Sequence, residues 1–238
     1  MISIDINSDV GEVPSAIEDG TQESLMAHLT SVNIACGGHA GNEHTMRRTV
    51  EQARHHGLGI GAHPGYPDPD NFGRVELHLP LAAVEQFVFE QIKMLAAIAG
   101  DIVHVKPHGA LYNQAVKSRT LAEAIARGTA RFSQNVVLVG LAGSEMLEVF
   151  EEAGFRVAAE VFADRRYEAD GTLRSRQFSD ALIREPAAAA EQAVELARSG
   201  RAQTVCIHGD TPGSADIAAA VAEALRHSGI RLAHLSGE

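Results

Sequence analysis

Seven short apolar runs recur along the chain, at 2–7, 31–36, 58–63, 102–107, 135–140, 156–162 and 204–209. Each has strand length, and nearly all carry Val or Ile in consecutive buried-type stretches rather than in alternation with polar residues. Between them lie longer segments with helical spacing, among them EHTMRRTVEQARHHG, LAAVEQFVFEQIKMLAAIAG and ADIAAAVAEALRHSG, several ending in Gly as helix C-termini do. Strand and helix in alternation, with short connections, predict a parallel sheet covered by helices. The expected fold is therefore α/β, a distorted seven-stranded β/α barrel over residues 1–238 as a single domain, with an open doubly wound sheet as the alternative closure.

Composition narrows the function classes. A chain of 238 residues with 45% hydrophobic content can bury a large core, and a formal charge of −11 argues against a nucleic-acid or anionic-membrane partner. No apolar run approaches the roughly 20 residues of a membrane span. The start, MISIDINSD, has neither the basic nor the apolar part of a signal peptide, so a cytoplasmic location is expected. Cys36 and Cys206 lie far apart at the ends of apolar runs and read as reduced, buried thiols.

Reactive side chains gather at or just beyond the C-terminal ends of the expected strands: Asp5, Asn7, Asp9 and Glu12; Asn33, Cys36 and His39; His63; Lys106 and His108; Glu160, Asp164 and Arg165; His208 and Asp210. In barrels and open α/β sheets that rim carries the active site. Turn chemistry alone explains the Asp and Gly residues there. It does not explain a lysine and several histidines on the same rim, which points to an enzyme.

Parity sharpens the set. Asp5, Asn7 and Asp9 share one face of a strand, and so do His104 and Lys106, while Pro107 should end the strand and turn His108 outward. Lys106 is expected in the barrel mouth, paired with Asp5, Asp9 or Glu160, because a buried ammonium cannot stand alone. His108 beside it should stay neutral and could serve as a base. The loop GAHPGYPDPDNFGR, from His63 to Arg74, reads as a shaped binding loop. His39 and His44 are too far apart to share a helix face, and His44, His55, His56, His78, His227 and His234 read as surface residues.

The segments DINSDVGE, SVNIACGGHAG, GAHPGYPDPDNFGR, HVKPHGALYN, EVFADRRYEADGTLRSR and CIHGDTP resemble the signature segments of the LamB/YcsF family, the A subunits of prokaryotic 5-oxoprolinases. The resemblance spans nearly the whole chain. It implies a barrel similar to the glycoside hydrolase/deacetylase folds, and ATP-dependent opening of 5-oxoproline to L-glutamate together with B and C subunits. It also implies a conserved rim of Asp5, Asn7, Asp9, Glu12, Asn33, His39, His63, Lys106, His108, Glu160, Asp164, Arg165 and His208. The chain reads CGGHAGNE where the family has CGFHAGDP, so Gly38 is expected to open space beside His39, and Asn42 replaces an acid.

An unstrained lactam is a poor electrophile, so ATP is expected to activate its amide oxygen. The chain has no GxxxxGK[ST] loop, which places ATP and its Mg on the partner subunits. The expected catalytic set is Asp9 or His108 to activate water, Lys106 to stabilise the oxyanion, and Glu160 to orient Lys106 or receive the ring nitrogen. Asp5, Asn7, Asn33, His39, His63, Arg74, Asp164, Arg165 and His208 complete the substrate site, and Lys106→Met is expected to fold normally. The alternative is a metal-dependent deacetylase or amidohydrolase of the related barrel fold, with Asp9, His39 and His63 holding a divalent metal. A metabolite-binding regulatory protein is the third reading. Self-association is left open.

Overall fold

The computed structural model describes residues 2–235. Its strands β1 (Ser3–Val10), β2 (Ser31–Ala35), β3 (Gly59–His63), β4 (His104–Val105), β5 (Val137–Leu141), β6 (Arg156–Phe162) and β7 (Thr204–Cys206) pair in chain order, all parallel. β1 pairs with β7 through Asp5–Asn7 and with β2 through Asn7–Val10, which closes the barrel and excludes the open sheet. β2, β3 and β5 are buried at every residue, because one face looks into the barrel and the other lies under helices.

An eighth strand, β8 (Arg231–Leu232), was not expected. The carbonyls of Ile2 and Ile4 accept from Arg231 and Ala233, and the Ile6 carbonyl, on the same edge of β1, accepts from Thr30. β8 thus fills the edge of β1 below the point where β2 joins it. Two residues with no apolar run leave no sequence signal. β4 is shorter than the expected 102–107, and at its C-terminal end Pro107 offers no N–H to continue the ladder.

Nine α-helices are described: α1 (Pro14–Glu18), α2 (Thr21–Met26), α3 (Glu43–His55), α4 (Leu81–Ala99), α5 (Gly109–Ala115), α6 (Arg119–Phe132), α7 (Glu145–Glu152), α8 (Pro186–Arg198) and α9 (Ser214–His227). Six match the periodic segments; α1, α2 and α5 are of seven residues or fewer, too short to show a period. None of the described helices is long and apolar enough to cross a membrane.

The barrel interior is divided. Val137, Val139 and Ala158, from β5 and β6, form a small apolar cluster against Leu235. The opposite wall is polar, with Asp5, Asn7, Asn33 and His104 each at most 2% exposed. Gly61 makes this possible: a Cβ there would sit 2.1 Å from His104 Nε2, so the ring occupies the space a side chain would need. Buried polar groups of this density must satisfy one another, and they do so in layers.

Candidate functional site at the barrel mouth

The lowest layer belongs to Asp5. Its carboxylate accepts from Thr30 (2.6 Å), Ser31 (2.6 Å) and Thr204 (2.5 Å) hydroxyls. Burial raises its pKa despite those three donors. Expected as a partner of Lys106 and a substrate ligand, Asp5 instead is enclosed by hydroxyls and forms no ion pair with the lysine.

Above it, Asn7 links the layers. Its Nδ2 donates to Thr204 (2.6 Å) and Glu160 (3.1 Å), and its Oδ1 accepts from Asn33 (2.7 Å). Asn33 also donates to Asp9 (2.8 Å) and faces His104 Nε2 at 2.7 Å. These amides hold the ionic groups of the next layer in place.

Lys106 Nζ lies 2.8 Å from Glu160 Oε1, 3.0 Å from Asp9 Oδ1, 3.1 Å from Cys206 Sγ and 3.3 Å from Asn7 Oδ1. Burial opposes its charge, but Asp9, Cys206 and Glu160 outweigh burial and hold the ammonium well above its usual pKa. Burial likewise opposes the Asp9 carboxylate, and His63 and Lys106 outweigh it, holding Asp9 well below the usual range. The parity expectation for Lys106 is met in space, with Cys206 as a contact that composition offered no reason to place there.

Glu12, His39, His63 and His108 form a second group on one side of Asp9. Glu12 Oε1 is 3.0 Å from His39 Nε2 and 3.3 Å from His108 Nδ1, and His63 Nε2 is 2.9 Å from His108 Nδ1 and 3.3 Å from Asp9 Oδ2. Burial, then the neighbouring histidines, drive the His108 pKa well below its usual value, and burial takes His39 to about 2. Burial raises Glu12. His108, expected as a neutral base, has Nε2 occupied by the Phe72 carbonyl at 2.9 Å and Nδ1 turned toward His63 and Glu12 rather than the open cavity.

A third group stands across the mouth. His208 Nδ1 donates to Asp164 (2.9 Å), which also accepts from the His208 backbone N–H and the Thr211 hydroxyl, both at 3.1 Å. An ionised Asp164 accepts only, so Nδ1 carries a proton, and in the neutral ring it is Nε2 that presents the lone pair. Burial opposes the Asp164 charge, and His208 outweighs it and lowers the pKa.

A cavity of about 830 Å³ opens over these groups, within the range of small-molecule sites. Of the expected residues, Asp9, Glu12, His63, Arg74, Lys106, His108, Arg165 and His208 line it. Asp5, Asn7, Asn33, His39, Glu160 and Asp164 stand behind that wall. Arg176 and Asp210 also line it; Asp210 pairs with Arg74 and, at 2.9 Å, with Arg176. Arg176 was missed because 165–185 carries no periodicity from which to place it. Arg165 donates to the Arg174 carbonyl (2.7 Å), while its buried Nε has no partner among the described residues.

Two sequence departures resolve locally. Gly38 opens no space: a Cβ there would meet the Gln91 amide at 2.5 Å and the Gly65 carbonyl at 2.6 Å. The Gln91 side chain fills that volume and bonds the Gly65 N–H (3.0 Å) and carbonyl (2.8 Å). Asn42 caps α3 in a reciprocal box with Thr45, a role an acid would fill equally.

Comparison with known proteins relates the chain to others by sequence and by fold. The 5-oxoprolinase A subunits from Chloroflexus aurantiacus and Chloroflexus aggregans are 48% and 46% identical, over 97% of this chain and 97% and 98% of theirs. The one from Pyrococcus abyssi is 40% identical over 98% of this chain and 97% of its own. The crystal structure of the lactam utilization protein from Thermus thermophilus superposes with a TM-score of 0.90 at 35% identity, covering 98% of this chain and 99% of that one. A family 4 carbohydrate esterase from Streptomyces lividans shares the fold alone, with a TM-score of 0.52 at 12% identity over 99% of this chain and 93% of its own. The profile of the LamB/YcsF family matches residues 4–238, which include every layer of the mouth described above, and the chain belongs to that family.

Proposed function

We propose that this chain is the A subunit of an ATP-hydrolysing 5-oxoprolinase, a single-domain subunit that opens the lactam of 5-oxoproline to L-glutamate in the cytoplasm together with B and C subunits. The observation that carries this reading is the near full-length match to relatives of that name, at up to 48% identity, in a chain whose mouth holds an ionised Lys106. The absence of a phosphate-binding loop from the sequence supports a partner-borne site for ATP and Mg.

Amide opening needs positive charge where the carbonyl oxygen becomes an oxyanion, and a group that moves a proton between water and the leaving nitrogen. Lys106 supplies the charge at the cavity floor, fixed by Asp9 and Glu160. Glu160 acts as a positioning residue, because it does not reach the cavity wall. Asp9 turns Oδ2 toward His63 and the cavity, but a carboxylate held so far below its usual pKa is a weak base. The His208 and Asp164 pair is better arranged for proton transfer, with Nε2 free and the tautomer fixed. Arg165 and Arg176 are placed to meet the substrate carboxylate.

The test is reconstitution with B and C subunits already shown to work with an established A subunit. Glutamate should form from 5-oxoproline and Mg-ATP only in the complete mixture. No glutamate from competent partners overturns the reading.

A further inference from the structure

With neutral rings and an ionised carboxylate, the Glu12, His63 and His108 group holds more acceptors than protons. His63 Nδ1 lies 2.7 Å from the Lys106 carbonyl, and His108 Nε2 lies 2.9 Å from the Phe72 carbonyl. A carbonyl only accepts, so those nitrogens carry the ring protons, and in neutral rings His63 Nε2 and His108 Nδ1 are bare. These two bare nitrogens face each other at 2.9 Å. Glu12 Oε1, another acceptor, stands 3.3 Å from one and 3.9 Å from the other, and Asp9 Oδ2 is 3.3 Å from His63 Nε2. Lone pairs therefore converge where a cation is needed.

A proton on His63 Nε2 would satisfy His108 Nδ1 and Asp9 Oδ2 and still leave Glu12 Oε1 opposed to His108 Nδ1 at 3.3 Å. A divalent metal relieves all of them at once. Tetrahedral ligands at the usual zinc distances stand roughly 3.3 Å apart, close to the separations seen here. His39 Nε2 belongs to the same convergence, since one ligand atom from each of Glu12, His39, His63 and His108 falls within 4.8 Å of the others. The surroundings are also those of a metal site, because ligating histidines ordinarily donate their second N–H to a carbonyl or carboxylate. His63 and His108 both do so; His39 Nδ1 has no partner among the described residues.

The backbone is shaped to provide one of those carbonyls. Phe72 is the one non-glycine residue with positive φ (56°) among the described residues, and its carbonyl is the group that fixes His108. A left-handed phenylalanine costs conformational energy and persists where the surroundings require it. Gly73 beside it is obligatory, since a Cβ there would sit 2.7 Å from the His39 Cβ.

We propose that Glu12, His63 and His108, completed by His39, bind one divalent first-row transition metal at the barrel mouth. This set differs from the expected Asp9, His39 and His63, because Glu12 and His108 converge with the two histidines while Asp9 gives Oδ1 to Lys106 and Asn33. Bound there, a metal supplies Lewis acidity beside a weak base. The proposal concerns metal binding by the chain and does not depend on which amide it opens.

The test uses the full chain, stripped with a chelator and titrated with Zn²⁺ by calorimetry and with Co²⁺ by visible absorption. The expected result is one equivalent per chain, with tetrahedral Co²⁺ bands. Glu12→Gln and His108→Ala should each weaken binding by more than about 10-fold, the low end of what losing even an outer contact costs. Far-UV circular dichroism of the stripped proteins checks that both variants fold, and Glu12→Gln keeps the side-chain volume. A His55→Ala/His56→Ala variant removes the surface group formed with Glu23 and should change nothing. No stoichiometric binding, binding indifferent to Glu12→Gln and His108→Ala, or binding lost in the surface variant would each overturn the proposal. Because no substrate is present, failure here leaves the 5-oxoprolinase reading to its own assay.

Discussion

Glu160 holds Lys106 from behind: its Oε1 is 2.8 Å from the lysine Nζ, yet the carboxylate has no solvent exposure and no place on the cavity wall. With Asp9 at 3.0 Å, the lysine balances two buried carboxylates rather than one. Removing the cation therefore leaves an excess of buried negative charge. Lys106→Met was expected from sequence to fold normally, and the geometry argues otherwise. Breaking a buried pair typically costs about 3–5 kcal/mol. Urea unfolding should show a loss of that order for Lys106→Met, and Glu160→Gln in the same chain should recover a clear part of it. Additive losses in the double variant would contradict the charge-balance account. Turnover should be lost in both proteins.

Asp164 and His208 carry the second prediction. An Asn at 164 can present its amide N–H₂ to His208 Nδ1, which forces the proton to Nε2 and removes the lone pair that faces the cavity. Asp164→Asn should lower kcat by about 100- to 10,000-fold, the usual range for a lost acid–base group. KM should change little, and ¹⁵N chemical shifts of the His208 ring should report the exchanged tautomer. An unchanged tautomer with lost activity would make Asp164 a structural residue.

The strand–helix rhythm was legible in the chain because six helices are long enough to show a period and the barrel strands lie in short runs rich in Val and Ile. β8 and α1, α2 and α5 were not, because two to seven residues cannot show one. The inward parity of Asp5, Asn7 and Asp9 was correct along β1, but parity gives a face and not a depth. Depth separates Asp5, sealed by three hydroxyls, from Asp9 on the cavity wall. The same limit applies to His108. Its place beyond Pro107 was readable; the Phe72 carbonyl that takes one of its nitrogens comes from a loop whose path only the fold supplies.

Asp210 gives a pH dependence with a definite sign. Burial opposes its charge, and Arg176, His208 and Arg74 outweigh it and bring the pKa down to about 2. A depressed carboxylate contributes stability that is complete above its unfolded value of 3.8 and is lost as pH falls toward the folded value. Its side chain is 23% exposed and Arg74 is 41% exposed, so screening leaves about 1 kcal/mol rather than the full linkage value. The stability difference between the wild type and Asp210→Asn should shrink as pH is lowered from 5 toward 2. A difference that stays constant over that window would detach Asp210 from the two arginines that it joins.

Gly38 offers a test of packing at a position where the chain departs from the pattern it otherwise resembles. The pocket beside it is already filled by Gln91, whose amide bonds both the N–H and the carbonyl of Gly65. Gly38→Phe alone must displace that side chain and crowd a backbone carbonyl at 2.6 Å. Overpacking of this kind typically costs about 1–3 kcal/mol. Shortening the neighbour in Gly38→Phe/Gln91→Ala frees the volume the ring needs and should return part of the loss, read as the midpoint of thermal unfolding. The backbone carbonyl remains, so recovery should be incomplete. A Gly38→Phe protein as stable as the wild type would mean that Gln91 swings aside freely, and that the Gly65 loop beneath His39 does not depend on it.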